Sequence, residues 1–266
     1  MSKAVRWSES ALSPQNLVVM VMVVKNARRL ISHATAMILR NPRDTLQVTL
    51  VPYLLACAAA IAAQRGTMQP EGQTILKQVA LNFGYFVAVS WMAVAWHRHV
   101  LLHEPAGPLP RFLPTRVAAY LGYSALFSVV LLVPSGSLTF WAVTSMAIGG
   151  PGVELWQVVA LFHSLMLVYF TLFGRFGAIL PAFATHADHG LLDGWTATKG
   201  ATLTIGLVSL VLTALSFLVD YAVLALPIDD RAAAILIQVA QWPLVMFGIS
   251  ALTSTYQYYV LGQSLD

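Results

Sequence analysis

The chain has 266 residues, of which 58% are hydrophobic and only 10% are charged, and its mean hydropathy is +0.72. Soluble proteins carry roughly 25% charged residues, so this composition excludes an ordinary soluble domain and indicates an integral membrane protein. The formal net charge of +4 does not indicate a nucleic-acid partner, because the basic residues follow the predicted spans and form no dense patch with exposed aromatic residues.

The first predicted element is a helix that begins at Ser13-Pro14, a pair typical of an N-cap and first turn, and ends before Asn41-Pro42. Its apolar and basic residues fall largely on opposite faces, as in a helix that lies in the membrane interface near anionic headgroups. The apolar face holds Leu17, Met20, Val21, Val24, Ile31 and Ile38, and the basic face holds Lys25, Arg28, Arg29, Ser32 and Arg40. We therefore assign residues 1–43 to a cytoplasmic segment with an amphipathic anchor helix.

Residues 44–266 contain six apolar segments close to the length of about 20 residues that crosses a bilayer. They are predicted at Thr45–Ala63, Ile75–Trp96, Val117–Val133, Leu155–Gly174 with an extension to Ala184, Ala201–Leu226 and Ala233–Leu261. Pro52 is expected to kink the first span and Pro243 the sixth, since proline removes a backbone hydrogen bond inside a helix. The predicted fold class is all-α, a polytopic membrane protein made of three helical hairpins.

The basic residues predict the orientation of these spans. Twelve of the 15 Lys and Arg residues lie before span one, between spans two and three or between spans four and five, and only Arg65, Lys77 and Arg231 lie toward the opposite side. Short loops rich in basic residues face the cytoplasm. We therefore expect both termini in the cytoplasm, in a multi-pass protein of the bacterial inner membrane.

An apolar run from Leu138 to Ile148 follows span three and is too short to cross a membrane. Such a segment has to be buried, either in the outer interface, over the helical bundle or against a partner subunit. Trp141, within this run, is therefore a candidate partner-contact residue.

The histidines do not predict a metal site. His97 and His99 point about 200° apart on a helix, and a position just beyond span two, stabilised by the helix dipole, explains them more simply. The other polar group, His186, Asp188, His189 and Asp193, lies in a loop where such side chains are usually solvated. His163 lies inside span four and could ligate a haem or pigment metal, but no second axial histidine lies at a matching depth, which favours an interhelical hydrogen bond. We expect no cofactor.

Two charged residues lie within apolar sequence, Arg175 at the end of span four and Asp220 near the outer end of span five. A buried charge is costly in a membrane, so each marks a candidate functional position. The structural alternatives are that each residue reaches the interface or pairs with an opposite charge. The possible partners are Asp188, Asp193 or Glu104 for Arg175, and Arg231 for Asp220.

The sequence contains no His-Glu-x-x-His zinc motif, no Gly-x-Ser-x-Gly nucleophile elbow and no phosphate-binding loop. It also lacks a series of carboxylates within the spans that would couple transport to protons or sodium. These absences weigh against an enzyme and against an ion-driven transporter.

Three motifs spread along the chain carry a family resemblance. They are Trp96-His97-Arg98-x-x-Leu101-Leu102-x-Glu104, then Arg175-Phe176 with Leu180-Pro181-Ala182, and Trp195-x-x-Thr198-Lys199-Gly200. In these motifs the chain resembles uncharacterised six-span inner-membrane proteins of alphaproteobacteria, which are distantly similar to the membrane domain of some glycerophosphodiester phosphodiesterases. The resemblance implies the architecture and no reaction, and it singles out Arg98 and Arg175, each of which closes an even-numbered span.

These patterns favour a non-enzymatic protein that acts as an accessory, assembly or stabilising subunit of a larger membrane complex, in contact with membrane lipids. The alternative is a carrier or channel for a lipid-like or small apolar solute that enters between the kinked spans one and six. An intramembrane enzyme is the third hypothesis. The candidate functional or partner-contact residues are Arg98, Arg175, Asp220, His97, His163 and Trp141.

Overall fold

A computed structural model describes residues 14–68, 75–107, 109–129, 155–185, 189–190 and 192–265, which form helices and connecting turns with no strand among them. The helices are α1 Pro14–Leu39, α2 Pro42–Met68, α3 Ile75–Leu102, α4 114–129, α5 Leu155–Phe176, α6 Leu180–Thr185, α7 Asp193–Ala197, α8 Thr202–Leu224, α9 Asp230–Ala240 and α10 Trp242–Thr255. A 3₁₀ turn, Gly177–Ile179, joins α5 to α6, and a π-helical turn, Tyr256–Val260, follows α10. The predicted all-α fold is confirmed for the described part of the chain.

Within the described residues, five helical segments are long and apolar enough to span a membrane: Pro42–Ala63, Ile75–Leu102, Leu161–Thr185, Thr202–Val223 and Arg231–Val260. They correspond to predicted spans one, two, four, five and six, and this is the architecture of a multi-pass membrane protein. Helix α4 covers the first part of predicted span three, whose remainder lies outside the described residues. The count of six spans therefore stays a prediction. Trp141 and the apolar run around it also lie outside the described residues.

The two prolines within the spans differ in their effect on the helix. Pro52 is buried inside α2, which continues as one helix on both sides of it. Pro243 is the second residue of α10, directly after the interruption at Gln241 that separates α9 from α10. Because proline fits the first turn of a helix but not its interior, the sixth span is divided into two helices at this point.

The core of the bundle joins helices that are distant in sequence. Tyr53 of α2, Trp96 of α3, Tyr120 of α4, Leu180 of α6 and Met246 of α10 belong to one cluster of buried side chains. We call the end of the bundle where α3 and α10 finish and α8 begins the basic end, because Arg98 and Arg175 lie there. The prediction from sequence places this end in the cytoplasm.

Helix α1 packs on α8 and α10 through small residues. Ala27, Leu30 and Ala34 are buried in one cluster with residues of α8 and α10, and Ile31 and Ile38 pack against that cluster. Small side chains allow helices to approach closely in a membrane protein. Residues 17–22 are exposed, and the amphipathic character of the helix stays a prediction. Its placement in the membrane interface stays a prediction.

Candidate functional site

The first sequence motif places Arg98 at the end of α3, where the chain reverses direction. His103 adopts a left-handed conformation with φ of 55°, and the turn returns Glu104 to the side of α3. Arg98 Nε donates to Glu104 Oε2 at 3.0 Å, Nη2 donates to Oε1, and Nη1 donates to the Ala184 carbonyl at 2.8 Å. The two parallel bonds to the carboxylate are the strong geometry for arginine, and the third ties α3 to the end of α6.

The second and third motifs meet at Arg175, which closes α5 and is only 8% exposed. Its guanidinium lies over the Trp195 ring, 3.5 Å from the ring centroid. Arg175 Nη2 donates to the Trp195 carbonyl at 3.1 Å, and Nε donates to Thr198 Oγ1 at 3.3 Å. The Trp195 ring also stacks on Phe176, with centroids 4.5 Å apart. Arg175 therefore joins α5 to α7 through one aromatic ring and two oxygen acceptors.

Two of the three carboxylates predicted as partners of Arg175 contact other groups: Glu104 pairs with Arg98, and Asp193 lies 3.6 Å from His189. The position of Arg175 relative to the headgroups stays a prediction. Asp188 lies outside the described residues. An aromatic face and neutral acceptors can satisfy a planar guanidinium without a carboxylate, which explains how this charge is accommodated in the bundle.

Gly194 allows α7 to approach the end of α5. A Cβ atom at this position would lie 2.7 Å from the Phe176 carbonyl oxygen and 3.1 Å from the Arg175 carbonyl oxygen. These are backbone atoms, so they cannot move aside as a flexible side chain does.

We expect Gly194→Ala to displace α7 and to lower the free energy of unfolding by about 1–3 kcal/mol, the usual cost of overpacking. Thermal unfolding in detergent measures the change. Gly84→Ala is the matched control, because a Cβ atom there meets nothing within 4 Å. Equal effects of the two substitutions would contradict the packing role of Gly194.

His97 lies within the bundle and is fully buried. Its Nδ1 is 2.9 Å from Thr253 Oγ1 of α10, and its Nε2 is 3.3 Å from the Tyr120 hydroxyl of α4. The His97 ring therefore bridges three helices, and its depth relative to the membrane interface stays a prediction. His99 Nδ1 instead lies 2.7 Å from the Glu104 carbonyl oxygen, so the two histidines have separate partners, as their spacing predicts.

His163 and Asp220 meet between α5 and α8, toward the end of the bundle opposite the basic end. The distance between His163 Nε2 and Asp220 Oδ2 is 3.6 Å. Gln241, at the break between α9 and α10, donates from Nε2 to Asp220 Oδ1 at 3.1 Å and to Ser216 Oγ at 3.2 Å. Asp220 is thus held by interhelical partners and not by Arg231. Among the described residues, no three His, Cys, Asp or Glu side chains come together as a metal site.

A cavity of about 770 Å³ lies between α3, α4, α5, α8 and α10. Its volume falls within the range of roughly 300–1,000 Å³ that is usual for small-molecule sites. The lining is mostly aliphatic and aromatic, and its polar members are Ser90, Tyr120, Ser124, Ser128, Tyr169, Ser209, Ser216, Gln241 and Thr255. Among the residues that the structure describes, no charged residue lines it. Because an ion without a counter-charge is very costly in apolar surroundings, this cavity suits an uncharged or largely apolar molecule.

Most of the described polar groups that line the cavity form hydrogen bonds within the protein. Ser128 Oγ is 3.0 Å from the Tyr169 hydroxyl, Tyr120 contacts His97, and Gln241 contacts Asp220 and Ser216. Ser124 Oγ is an exception, since it is buried and has no hydrogen-bond partner. Buried polar groups are normally paired, so Ser124 is a wall position at which a bound molecule could place an acceptor or donor.

The cavity does not lie at the predicted route between spans one and six. Trp242 Nε1 donates to Thr49 Oγ1 at 3.3 Å, and the Tyr53 hydroxyl donates to the Gln238 carbonyl, so α2 is joined to α9 and α10 along this seam. The lining instead includes the exposed side chains of Phe83 and Phe86 on α3 and of Val129 on α4. Within the described part of the chain, α3 and α4 therefore form an accessible side of the cavity.

The described helices are those of a multi-pass membrane protein, and the cavity lies among them. Comparison of the chain with protein-family models, with curated proteins and with solved structures gives no match. The family resemblance based on the three motifs therefore stays a prediction.

Sequence reasoning identified Arg98, Arg175, Asp220, His97 and His163 but not their partners. The buried hydroxyl residues of α10 could have indicated that this helix provides some of those partners. Ser250, Thr253 and Ser254 recur at helical spacing within an apolar span, and Thr255 follows them. Such spacing indicates a helix face that turns toward polar groups of other helices. The cavity itself has no comparable signal, since its wall is composed of ordinary span residues.

Proposed function

We propose that this protein binds a lipid-like or small apolar solute in the central cavity and serves as a carrier or channel for it. The observation that supports the proposal is a half-open cavity of about 770 Å³ whose described lining residues are uncharged. The proposed role is non-enzymatic, because the lining supplies hydroxyl and amide groups for orientation and no charged side chain. Exposed Phe83, Phe86 and Val129 at the rim provide the route of exchange with the lipid phase.

Purification of the full chain in mild detergent tests this proposal. We expect an apolar molecule to remain bound in a nearly equimolar amount, to be released by organic extraction and to be identified by mass spectrometry. The amount bound should fall when the protein is washed in detergent with excess competing lipid. Protein that is folded, carries no such molecule and takes up none from added lipid mixtures would contradict the proposal.

An accessory role beside a larger membrane complex is the second candidate function. It is supported by residues 17–22 of α1, whose apolar side chains are exposed. Such an unpartnered apolar surface fits a partner subunit. Co-purification of the tagged full chain with and without Leu17→Ser/Met20→Ser tests this role. A defined partner that is lost in the double variant would support it, and an unchanged monodisperse preparation would contradict it.

The proposed topology has six spans, with both termini in the cytoplasm of a bacterial inner membrane. It is supported by the five membrane-length helices and by the excess of basic residues at the basic end. A reporter fused to either terminus should show cytoplasmic exposure, and one inserted near Lys77 should show exposure on the outer side. Outer exposure of the C-terminus would exclude the even number of spans.

A further inference from the structure

A second, smaller site lies on the surface of α1. It is a groove of about 290 Å³ that runs beside Leu265 of the C-terminal segment. Its polar lining residues are Lys25, Arg28, Arg29, Ser32, His33 and Arg40. The four Lys and Arg residues are exposed, so their charges meet in a groove at the surface of the protein and outside the five membrane-length helices.

Acidic side chains do not neutralise this groove within the part of the chain that the structure describes. The ion pairs there are Arg98–Glu104, His163–Asp220 and His189–Asp193, and none of their members lines the groove. Basic residues that share one small groove repel each other. An anion that contacts several of them relieves this repulsion and gains charge-assisted hydrogen bonds.

His33 forms the part of the groove that adjoins α10. Its Nδ1 lies 3.1 Å from Ser254 Oγ, which fixes the ring between α1 and α10. Burial lowers the pKa of His33 below its ordinary value of 6.5, and the neighbouring charge of Arg40 lowers it further. An anion near Arg40 opposes the second effect, so it raises the pKa of His33. The titration of His33 is therefore an internal indicator of an occupied groove.

We propose that this groove binds the phosphate group of an anionic phospholipid headgroup. Arg28 and Arg29 supply planar forks that match phosphate oxygens, and Lys25 adds a compact positive charge. Helix α1 continues from the groove into residues 17–22, whose exposed apolar side chains offer the acyl chains a surface beside the headgroup. This site is separate from the central cavity and does not depend on the function proposed for it.

Calorimetric titration of the full chain in neutral detergent tests the proposal. The probes are short-chain phosphatidylglycerol, phosphatidylcholine of the same chain length and inorganic phosphate. We expect phosphatidylglycerol to bind at least about tenfold more tightly than the other two probes. Arg28→Gln/Arg29→Gln should weaken its binding by roughly 30-fold, given the usual contribution of two basic residues near an anionic lipid. The matched control, Arg111→Gln/Lys199→Gln, removes two positive charges outside the groove and should change binding by less than about twofold.

Nuclear magnetic resonance of His33 provides a second readout that needs no variant. Phosphatidylglycerol should raise the pKa of His33 in the wild-type chain, and phosphatidylcholine should leave it unchanged. Equal losses in the two double variants would overturn the proposal, since they would indicate attraction by overall charge. Inorganic phosphate that binds as tightly as phosphatidylglycerol would also overturn it, because the ligand would then be a soluble phosphate.

Discussion

Ala125→Phe is expected to reduce the amount of apolar molecule bound to the purified protein by about tenfold. Ala125 lies on α4 and lines the central cavity, so the added ring occupies space that the bound molecule needs. Overpacking of an occupied site costs about 1–3 kcal/mol, and 1.4 kcal/mol corresponds to a tenfold change in affinity. Quantitative mass spectrometry of the extracted molecule, normalised to protein, measures the effect.

The same substitution should leave the unfolding midpoint nearly unchanged, because the added ring replaces packing contacts that the bound molecule made. This separates blockage of the cavity from misfolding. Ala118→Phe is the matched control, since Ala118 is exposed on the same helix and does not line the cavity. If both variants retain the bound molecule equally, the cavity is not its site. If both lose it while folded, the loss is unrelated to the cavity.

Arg175→Met is expected to lower the free energy of unfolding by about 3 kcal/mol. The variant loses the contact with the Trp195 ring, worth about 2 kcal/mol when shielded from water, and two hydrogen bonds from a charged donor to Trp195 and Thr198. The net loss is smaller than the sum of these contacts, because the variant no longer buries a charge. Arg175→Lys should lose an intermediate amount, because lysine keeps the charge but not the planar group. Unfolding in mixed micelles with increasing denaturing detergent measures each value.

A double-mutant cycle of Arg175→Met with Trp195→Leu isolates the contribution of the ring. We expect an interaction energy of about 1–2 kcal/mol, because the guanidinium lies 3.5 Å from the ring centroid and is buried. Arg111→Met is the control on an exposed arginine and should change stability by less than about 0.5 kcal/mol. An interaction energy near zero would show that Arg175 and Trp195 act independently.

The membrane-length helices could be read directly from the sequence. A bilayer requires about 20 apolar residues in a helix that satisfies its own backbone hydrogen bonds, and this requirement is local. The end of α1 before Pro42 and the division of the sixth span beside Pro243 also follow from local sequence. Each depends on a residue and its immediate neighbours along the chain.

The face of α1 that packs on other helices could not be predicted from the local sequence. Alanine contributes little to the difference in hydropathy between the two faces of an amphipathic helix. The small size of Ala27 and Ala34 nevertheless allows α1 to approach α8 and α10. For helices surrounded by lipid, apolar side chains suit both the exterior and the core. Hydropathy therefore does not distinguish the face that meets another helix from the face that meets lipid.

The candidate site residues show the same difference between properties that are local in the sequence and contacts that depend on packing. The sequence by itself determined that the chain is an all-helical membrane protein and that Arg98, Arg175, Asp220, His97 and His163 are exceptional within apolar segments, because the cost of burying polar groups is a local property. Only the tertiary structure decided that Arg175 contacts Trp195, that Asp220 contacts His163 and Gln241, and that an uncharged cavity lies between five helices. Those features depend on the rotation and neighbours of each helix, which arise from packing over long sequence distances, such as the 156 residues between His97 and Thr253.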